Sequence, residues 1–270
     1  MNLGVLIALD ANVAEEIKKV HELGFSSCQL SSWDVSLRTQ EMADKINEAL
    51  EKYNVKISTF WCGWTGPQVW DFYDGPLTLG LVPEGLRWSR IEEIKNGSDF
   101  AKKLGVSNVA THVGFLPENP NTTEYRSLVC ALRDLATYIA KNGQYFLFET
   151  GQETPVTLRR TIEDIGTDNL GVNLAPANLI LYGKANPVDA LDVIGKYVRD
   201  IHGKDGCYPT DGKNLGTEVP LGQGKVNYPA FVKKLKEIGY DATITIEREI
   251  SGDEQIRDIK NAKKYLEELI

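Results

Sequence analysis

The chain alternates short apolar runs with longer amphipathic segments. Each apolar run is roughly four to seven residues long, which is typical of strands buried on both faces of a parallel sheet. The segments between them repeat their apolar positions with the period of a helix. The pattern predicts eight strands, at residues 3–9, 27–30, 55–60, 108–112, 145–150, 170–174, 198–202 and 242–247.

Capping residues mark where several of the intervening helices begin. Asn12, followed three residues later by Glu15, has the spacing of a capping box. Thr154 and Asn186 each stand immediately before a proline, which places a capping side chain ahead of proline at the first helical position. The pattern predicts eight helices, at residues 12–23, 38–53, 91–104, 123–142, 228–238 and 253–269, with two more that begin at 155 and 187.

This alternation of strand and helix predicts an α/β fold, a (β/α)8 TIM barrel in which residues 1–270 form a single domain. Such barrels use about 250 residues for one domain and place catalytic groups at the carboxyl ends of their strands. A doubly wound open sheet is the competing arrangement. That sheet carries a glycine-rich phosphate-binding turn after its first strand, and the segment LDANV at this point contains no glycine.

Composition and charge narrow the classes of partner and the compartment. The net charge of −8 and the pI near 5.1 argue against nucleic acid as a partner, because phosphate binding requires a basic face. No segment approaches the roughly 18 uninterrupted apolar residues of a membrane span, and MNLGVLIALD becomes acidic too early for a signal peptide. The four cysteines form no CxxC pair, so we expect reduced thiols in a cytoplasmic protein.

Three of the predicted strands end in residues that are typical of metal sites. Glu149, His202 and Glu247 each stand at the carboxyl end of one strand. A buried carboxylate is costly unless a positive charge accompanies it, so we expect the three to meet at one mouth of the barrel. Two carboxylates and an imidazole suit a divalent cation such as Mn²⁺, Mg²⁺ or Co²⁺. The alternative is that each pairs separately with a nearby lysine or arginine.

Four motifs along the chain resemble those of one family. They are FET at 148–150, GVNLAPANL at 171–179, HGKD at 202–205 and TIERE at 245–249. Together they resemble the xylose-isomerase-like barrels, and more narrowly the sugar (phosphate) isomerase and epimerase group that includes the ketose 3-epimerases and inosose-processing enzymes. The resemblance covers essentially the whole chain. It implies a sugar or sugar phosphate as the small-molecule partner and a homo-oligomer, either a dimer or a tetramer.

The resemblance also implies four metal ligands. By motif these are Glu149, the residue at position 175, His202 and Glu247. Position 175 is Ala175, in LAPAN, where the family pattern has an aspartate. The alanine is either a natural loss of the ligand or an introduced substitution. An alanine cannot bind a cation, so we expect the divalent metal to be bound weakly or to be absent in this chain.

The mechanism that the resemblance implies is proton transfer on a ketose. With the sugar carbonyl polarised by the metal, Glu149 and Glu247 would remove and return a proton on opposite faces of the sugar, through an enediolate. Their pKa values must differ enough for one to act as the base and the other as the acid. The motifs leave open which glutamate has which role.

Further residues near the predicted mouth are candidates for substrate binding. Asn178 stands where the family has a substrate-contacting polar residue. His112, at the end of the fourth strand, suits a hydrogen bond to a substrate hydroxyl, or is a structural histidine. Lys204 suits a contact to a hydroxyl or phosphate, or pairs with Asp205.

Two long connections follow the third and seventh strands. The first carries four tryptophans, and so many aromatic residues favour function over disorder. Trp61 and Trp64 suit stacking against a sugar ring, or only fix the connection in place. The second connection contains LGQGK at 221–225, which is glycine-rich without being a Walker sequence. Phosphate binding there is a weak hypothesis.

Other functions compete with a sugar isomerase or epimerase. The missing ligand favours a barrel that binds a sugar or polyol without turnover. A lyase or dehydratase on the same scaffold also stays open, because a fold does not determine a reaction. The DNA-repair branch of the same superfamily uses several histidines at a trinuclear zinc site. Three histidines and a negative net charge nearly exclude that branch.

Overall fold

Eight parallel strands form a closed barrel in the computed structural model, which describes residues 1–270. Neighbours in the barrel follow the order of the chain, and the last strand closes the ring by pairing with the first. The predicted (β/α)8 barrel is confirmed, and the doubly wound open sheet is wrong. The barrel strands are β1 (Asn2–Ala8), β2 (Ser27–Ser32), β3 (Lys56–Cys62), β4 (Asn108–Thr111), β5 (Tyr145–Glu149), β6 (Leu170–Leu174), β7 (Val198–Gly203) and β10 (Thr243–Ile246).

The predicted helices are present, together with two short helices that the pattern did not indicate, α3 and α7. Thr154 and Asn186 cap their helices as predicted, since each accepts hydrogen bonds from backbone N–H groups of the first turn. Asn12 makes no side-chain capping bond, so the capping box predicted there is wrong. The helices are α1 (Val13–Glu22), α2 (Gln40–Tyr53), α3 (Gly75–Thr78), α4 (Glu84–Lys103), α5 (Thr123–Lys141), α6 (Pro155–Ile165), α7 (Pro176–Leu181), α8 (Pro187–Ile194), α9 (Tyr228–Glu237) and α10 (Asp253–Glu267).

Helix α4 begins at Glu84, seven residues before the predicted start at 91. Its first turns are not apolar, because the buried positions are Arg87 and Arg90. The Arg87 guanidinium donates hydrogen bonds to the carbonyls of Leu81 and Val82, and Arg90 donates to other carbonyls of the preceding connection. These buried cations satisfy the backbone of a loop. A pattern that expects arginine on the surface therefore misses the helix.

The interior of the barrel holds buried polar side chains beside a small apolar cluster that includes Ala110 and Leu147, whereas the main apolar core lies between the barrel and its helices. Side chains of a strand alternate between these two faces. Within the barrel, Asp200 accepts hydrogen bonds from Thr59 Oγ1 at 2.7 Å and from Thr245 Oγ1 at 3.4 Å. The register places Asn173 beside Glu149 on the same inward face. Polar groups therefore continue up the barrel to its carboxyl end.

The two long connections meet above that end of the barrel. The second connection forms a two-stranded antiparallel sheet, β8 (Asp205–Cys207) and β9 (Thr217–Val219). It contacts the first connection through a bridge between Asp71 and Asn214. Loops joined in this way form the walls of the mouth. None of the helices is both long and apolar enough to cross a membrane.

Candidate functional site

The three predicted metal ligands lie together at the carboxyl end of the barrel. Glu149 ends β5, His202 lies in β7 and Glu247 follows β10. His202 Nδ1 is 3.1 Å from Glu149 Oε1 and 3.2 Å from Glu247 Oε2, and all three side chains are buried. One ligand atom of each residue lies within 4.8 Å of the other two. Parallel strands end at one edge of the barrel, so residues far apart in the chain meet here.

Gln29, in β2, sets the orientation of the His202 ring. Its carbonyl oxygen Oε1 lies 2.8 Å from His202 Nε2, and a carbonyl oxygen can only accept a hydrogen bond. A proton on Nε2 satisfies this contact and leaves the lone pair of Nδ1 directed at the two carboxylates. Asn173 Oδ1 accepts a 3.1 Å hydrogen bond from Gln29 Nε2. The Asn173 amide is therefore engaged and does not replace a missing metal ligand.

The carboxylates control the charge of His202. Burial lowers the pKa of His202, but the nearby charges of Glu149 and Glu247 raise it further, so that its pKa lies well above the ordinary value. The two carboxylates thus favour positive charge between them. Either a proton on Nδ1 or a divalent cation among the three side chains supplies that charge.

Unsatisfied buried atoms at this position fit a cation. His202 Nδ1 and Glu247 Oε2 are buried and make no hydrogen bond of normal geometry, although they lie within ion-pair distance of each other and Glu247 Oε2 also lies near Lys204. A buried polar atom left without a partner costs about 1–3 kcal/mol, so such atoms are rare unless a ligand uses them. A nitrogen and carboxylate oxygens are donors that Mn²⁺, Mg²⁺ and Co²⁺ accept. Glu149, His202 and Glu247 therefore fit a divalent metal.

Ala175 contributes no donor to this set. It follows β6 and is the N-cap residue of α7. Ala175 is fully buried and stands two residues after Asn173, whose side chain faces the barrel interior. The Thr150 hydroxyl accepts a hydrogen bond from its backbone N–H at 2.9 Å and donates to its carbonyl at 3.2 Å. Asn178 directs its amide nitrogen, at 3.3 Å, to Glu149 Oε1. Three side chains, rather than the four that the family pattern implies, remain as candidate ligands.

Glu149 is held mainly by aromatic side chains. Trp61 Nε1 donates to Glu149 Oε2, and His112 Nε2 lies 3.4 Å from Oε1. Burial raises the pKa of Glu149, but the imidazoles of His112 and His202 lower it further, and the net direction is downward. The Glu149 carboxylate is therefore ionised, with one oxygen held against an indole.

Glu247 is held by a buried lysine. Lys204 Nζ lies 3.4 Å from Glu247 Oε2 and 2.8 Å from Glu249 Oε2, and its side chain is only 3% exposed. Burial raises the pKa of Glu247, whereas Lys204 and His202 lower it well below its ordinary value. Burial lowers the pKa of Lys204, but Glu247 and Glu249 raise it above the ordinary range. Lys204 pairs with these two glutamates and not with Asp205, the partner considered from the sequence.

A cavity of about 510 Å³ opens above the three ligands. Its volume lies within the range of roughly 300–1,000 Å³ that small-molecule sites occupy. The candidate substrate-binding residues Trp61, His112, Asn178 and Lys204 all line it. Four aromatic side chains, called here the aromatic wall, also line it: Trp33, Trp61, Trp70 and Tyr182.

Trp64 does not line the cavity. Its side chain is only 1% exposed. The ring packs against Trp33, with the ring centroids 5.6 Å apart, and the guanidinium of Arg90 lies over the ring, 5.0 Å from its centroid. The expectation that Trp64 stacks on a sugar is corrected, because it packs behind the wall and fixes the connection in place. Trp33 and Trp70 lie at the cavity instead. Trp70 was visible only as one of four loop tryptophans, and Trp33 had no motif to mark it.

Comparison with known proteins gives the family. Residues 17–269 match the family described as xylose isomerase-like TIM barrel. A xylose isomerase domain protein from Planctomyces limnophilus is 37% identical, with 99% of this chain and 96% of that chain covered and a TM-score of 0.93. An uncharacterised protein of Methanocaldococcus jannaschii is 25% identical over 284 residues, which covers this whole chain and 89% of that protein.

A more distant structure shows the same fold. The D-tagatose 3-epimerase-like protein is 22% identical, with 100% of this chain and 98% of that chain covered, and has a TM-score of 0.76. At this identity the likeness concerns the fold alone. The match to the family over nearly the full length carries the assignment, and the chain belongs to the xylose isomerase-like TIM-barrel family.

Proposed function

We propose that the protein is a metal-dependent sugar isomerase or epimerase that moves a proton on a ketose. One observation carries the proposal. Glu149 and Glu247 lie on strands three places apart in the barrel, yet both direct a carboxylate oxygen at His202 Nδ1 where the cavity ends. Membership in a family whose structural neighbours include sugar epimerases supports the same reaction class.

Glu149, His202 and Glu247 would hold a divalent cation such as Mn²⁺, Mg²⁺ or Co²⁺. When bound, the cation would polarise the sugar carbonyl and the neighbouring hydroxyl and so acidify the C–H bond between them. One glutamate removes this proton and the other returns a proton to the opposite face of the sugar, through an enediolate. Both carboxylates have lowered pKa values and are therefore ionised, which is the state that a base requires. The acid role requires one of them to gain a proton in the presence of substrate.

The other cavity residues position the sugar in this proposal. His112 Nδ1 is buried without a partner and is available to a substrate hydroxyl. Asn178 holds Glu149 and lines the cavity, so it would contact both this carboxylate and the substrate. Trp61 holds Glu149 through its indole N–H and presents the rest of the ring to the sugar.

The Ala175→Asp variant tests the metal-dependent reaction. A carboxylate at position 175 completes the ligand set, so we expect tighter Mn²⁺ binding by calorimetry than in the unchanged protein. With Mn²⁺ in D₂O, we expect this variant to incorporate deuterium from solvent next to the carbonyl of a ketose, as seen by NMR. A variant that binds Mn²⁺ but exchanges no proton of any ketose contradicts the proposal.

A barrel that binds sugar without turnover is the second candidate, and Ala175 favours it, because a three-ligand site holds its cation less firmly. The same experiment separates the two candidates. A binding protein would bind a ketose in both forms and exchange no proton in either. A lyase or dehydratase would instead release a dehydrated or cleaved product, which NMR of the same sample detects.

A further inference from the structure

The cavity contains two permanently cationic side chains, and both are already paired. Lys204 and Arg248 are the only lysine and arginine that line it. Lys204 lies between Glu247 and Glu249, as described above. A phosphate ester usually binds to cations or to free backbone N–H groups. The supply of such groups therefore determines whether a phosphorylated sugar is accepted.

Arg248 is held between two carboxylates. Its Nη1 lies 2.9 Å from Glu218 Oε1 on β9, and its Nε lies 2.9 Å from Asp258 Oδ2 on α10. The side chain is 12% exposed, and its partners are nearly as buried. An arginine that makes bonds in two directions with buried carboxylates cannot turn to a phosphate without leaving them unpaired.

The two glycine N–H groups of the loop LGQGK are also already occupied. Asp205 Oδ2 accepts hydrogen bonds from the backbone N–H groups of Gly222 and Gly224, both at 3.0 Å. Asp205 Oδ1 accepts from Val226 N at 3.1 Å. The carboxylate thus occupies the position that a phosphate would take in such a nest. The weak hypothesis of phosphate binding at this loop is not supported.

The other usual place for a phosphate in these barrels is also acidic. TIM barrels often bind phosphate at the loops after strands seven and eight, together with a helix N-terminus. Here the connection after β10 carries Glu249, and the first turn of α10 carries Asp253 and Glu254. These side chains would repel a dianion. The aromatic wall, which also lines the cavity, suits the C–H faces of an uncharged ring.

We propose that the cavity admits an uncharged sugar and rejects its phosphate ester, and that Glu218, Glu249 and Asp258 enforce this choice by occupying the two cations. The inference rests on the proposed function, which gives a sugar as the substrate, and it adds that this sugar is uncharged. Phosphate would bring between one and two negative charges into a cavity whose lysine and arginine are already paired with carboxylates. An uncharged sugar needs only hydroxyl contacts and the aromatic wall.

Binding of matched ligand pairs tests the inference. The pairs are D-fructose with D-fructose 6-phosphate and D-xylulose with D-xylulose 5-phosphate, titrated into the Mn²⁺-loaded protein and followed by tryptophan fluorescence. We expect the free ketose of at least one pair to bind roughly 100-fold or more tightly than its ester, because like charges brought together cost several kcal/mol. Inorganic phosphate at the same concentration should not displace the bound ketose.

Charge-removal variants identify the determinants. In Glu218→Gln/Asp258→Asn, Arg248 is released, and we expect the preference for the free ketose to shrink by about tenfold, the value of one charge-assisted hydrogen bond to phosphate. Glu163→Gln/Asp168→Asn is the matched control, because both residues are exposed near the amino end of β6 and the change of charge is the same. If the double variant does not fold, Glu249→Gln provides a second test, because it releases Lys204 from one of its two carboxylates. The Glu249 side chain is 61% exposed, so this change should not prevent folding.

Binding decides this inference, and proton exchange decides the proposed function. Esters that bind as tightly as their free ketoses, or free ketoses that do not bind, overturn the inference. A preference that stays unchanged in both the double variant and Glu249→Gln overturns the role given to the three carboxylates. A free ketose that binds with the predicted preference but exchanges no proton in Ala175→Asp leaves the inference standing and removes the proposed reaction.

Discussion

The Glu149 side and the Glu247 side of the site are built from different chemistry. Both glutamates stand at strand ends and approach the same nitrogen of His202. Glu149 is contacted by an indole N–H and an amide, with no lysine or arginine beside it. Glu247 is contacted by Lys204, which also binds Glu249. One side of the mouth is aromatic and nearly neutral, and the other is a network of ion pairs.

A third buried glutamate shows how strongly these partners lower the pKa of Glu149 and Glu247. Glu153 lies four residues after Glu149, is 4% exposed, and has one carboxyl oxygen without a hydrogen-bond partner. Burial raises the pKa of Glu153 to about 8. Burial alone therefore makes a glutamate neutral here. The donors around Glu149 and the lysine beside Glu247 are two separate ways of reversing that effect.

Removing either carboxylate of the site should have the largest effect. In the Ala175→Asp background with Mn²⁺, Glu149→Gln and Glu247→Gln should each lower the rate of deuterium exchange on a ketose by roughly 10²–10⁴-fold, the usual contribution of a general acid or base. Exposed Glu48→Gln serves as the control and should leave the rate unchanged. If one of the two site variants keeps the full rate, proton transfer does not use that side.

Replacing the lysine of the charged side should destabilise the fold more than replacing the indole of the neutral side. Lys204→Met leaves Glu247 and Glu249 without their buried cation, so we expect a loss of about 3–5 kcal/mol in the free energy of unfolding in urea. Trp61→Phe keeps an aromatic ring, although a smaller one, and removes one hydrogen bond to a charged group, which is worth about 1.5–3 kcal/mol. Equal losses in the two variants would mean that the two sides do not differ in this way.

The pH dependence of stability should reveal Glu153 as the glutamate without a charged partner. Its folded pKa of about 8 lies above the ordinary value of 4.5, so the folded state favours the protonated form. The stability contributed by this preference is complete below pH 4.5, declines as the pH rises towards 8, and is lost above it.

Glu153→Gln should therefore gain stability over the unchanged protein as the pH rises. The gain should reach a few kcal/mol at pH 9, because each unit of pKa difference is worth about 1.4 kcal/mol. Urea unfolding at pH 5, 7 and 9 measures it, with exposed Glu48→Gln as the control. A difference between Glu153→Gln and the unchanged protein that is constant with pH would show that Glu153 is ionised in the fold.

The smallest expected effect concerns the residue behind His202. Gln29→Leu removes the acceptor for Nε2, so the ring loses the contact that directs Nδ1 at the carboxylates. We expect Mn²⁺ affinity in the Ala175→Asp background to fall roughly 10–100-fold, as measured by calorimetry. Gln144→Leu is the matched control, since Gln144 is equally buried but bonds to Ser98 and Val106. An equal loss of affinity in both variants would point to general destabilisation.

Much of the fold was predictable from local pattern. Apolar runs of strand length, amphipathic segments and the Thr154 and Asn186 caps follow from residues close together in the chain. Helix α7 was missed because it follows β6 directly and is mostly apolar, like the strand before it. The start of α4 was missed because its buried face carries arginines. In both cases the local signal was ambiguous or pointed elsewhere.

The sequence by itself determined the barrel, and it identified Glu149, His202 and Glu247, because each stands at the end of an apolar run and matches a family motif. Only the tertiary structure decided how these residues are held. Gln29 reaches His202 across 173 positions of the chain, and Lys204 turns to Glu249 rather than to adjacent Asp205, which caps a loop instead. The physical reason is that strand periodicity is local, whereas partners inside a closed barrel are set by register and loop packing among distant segments.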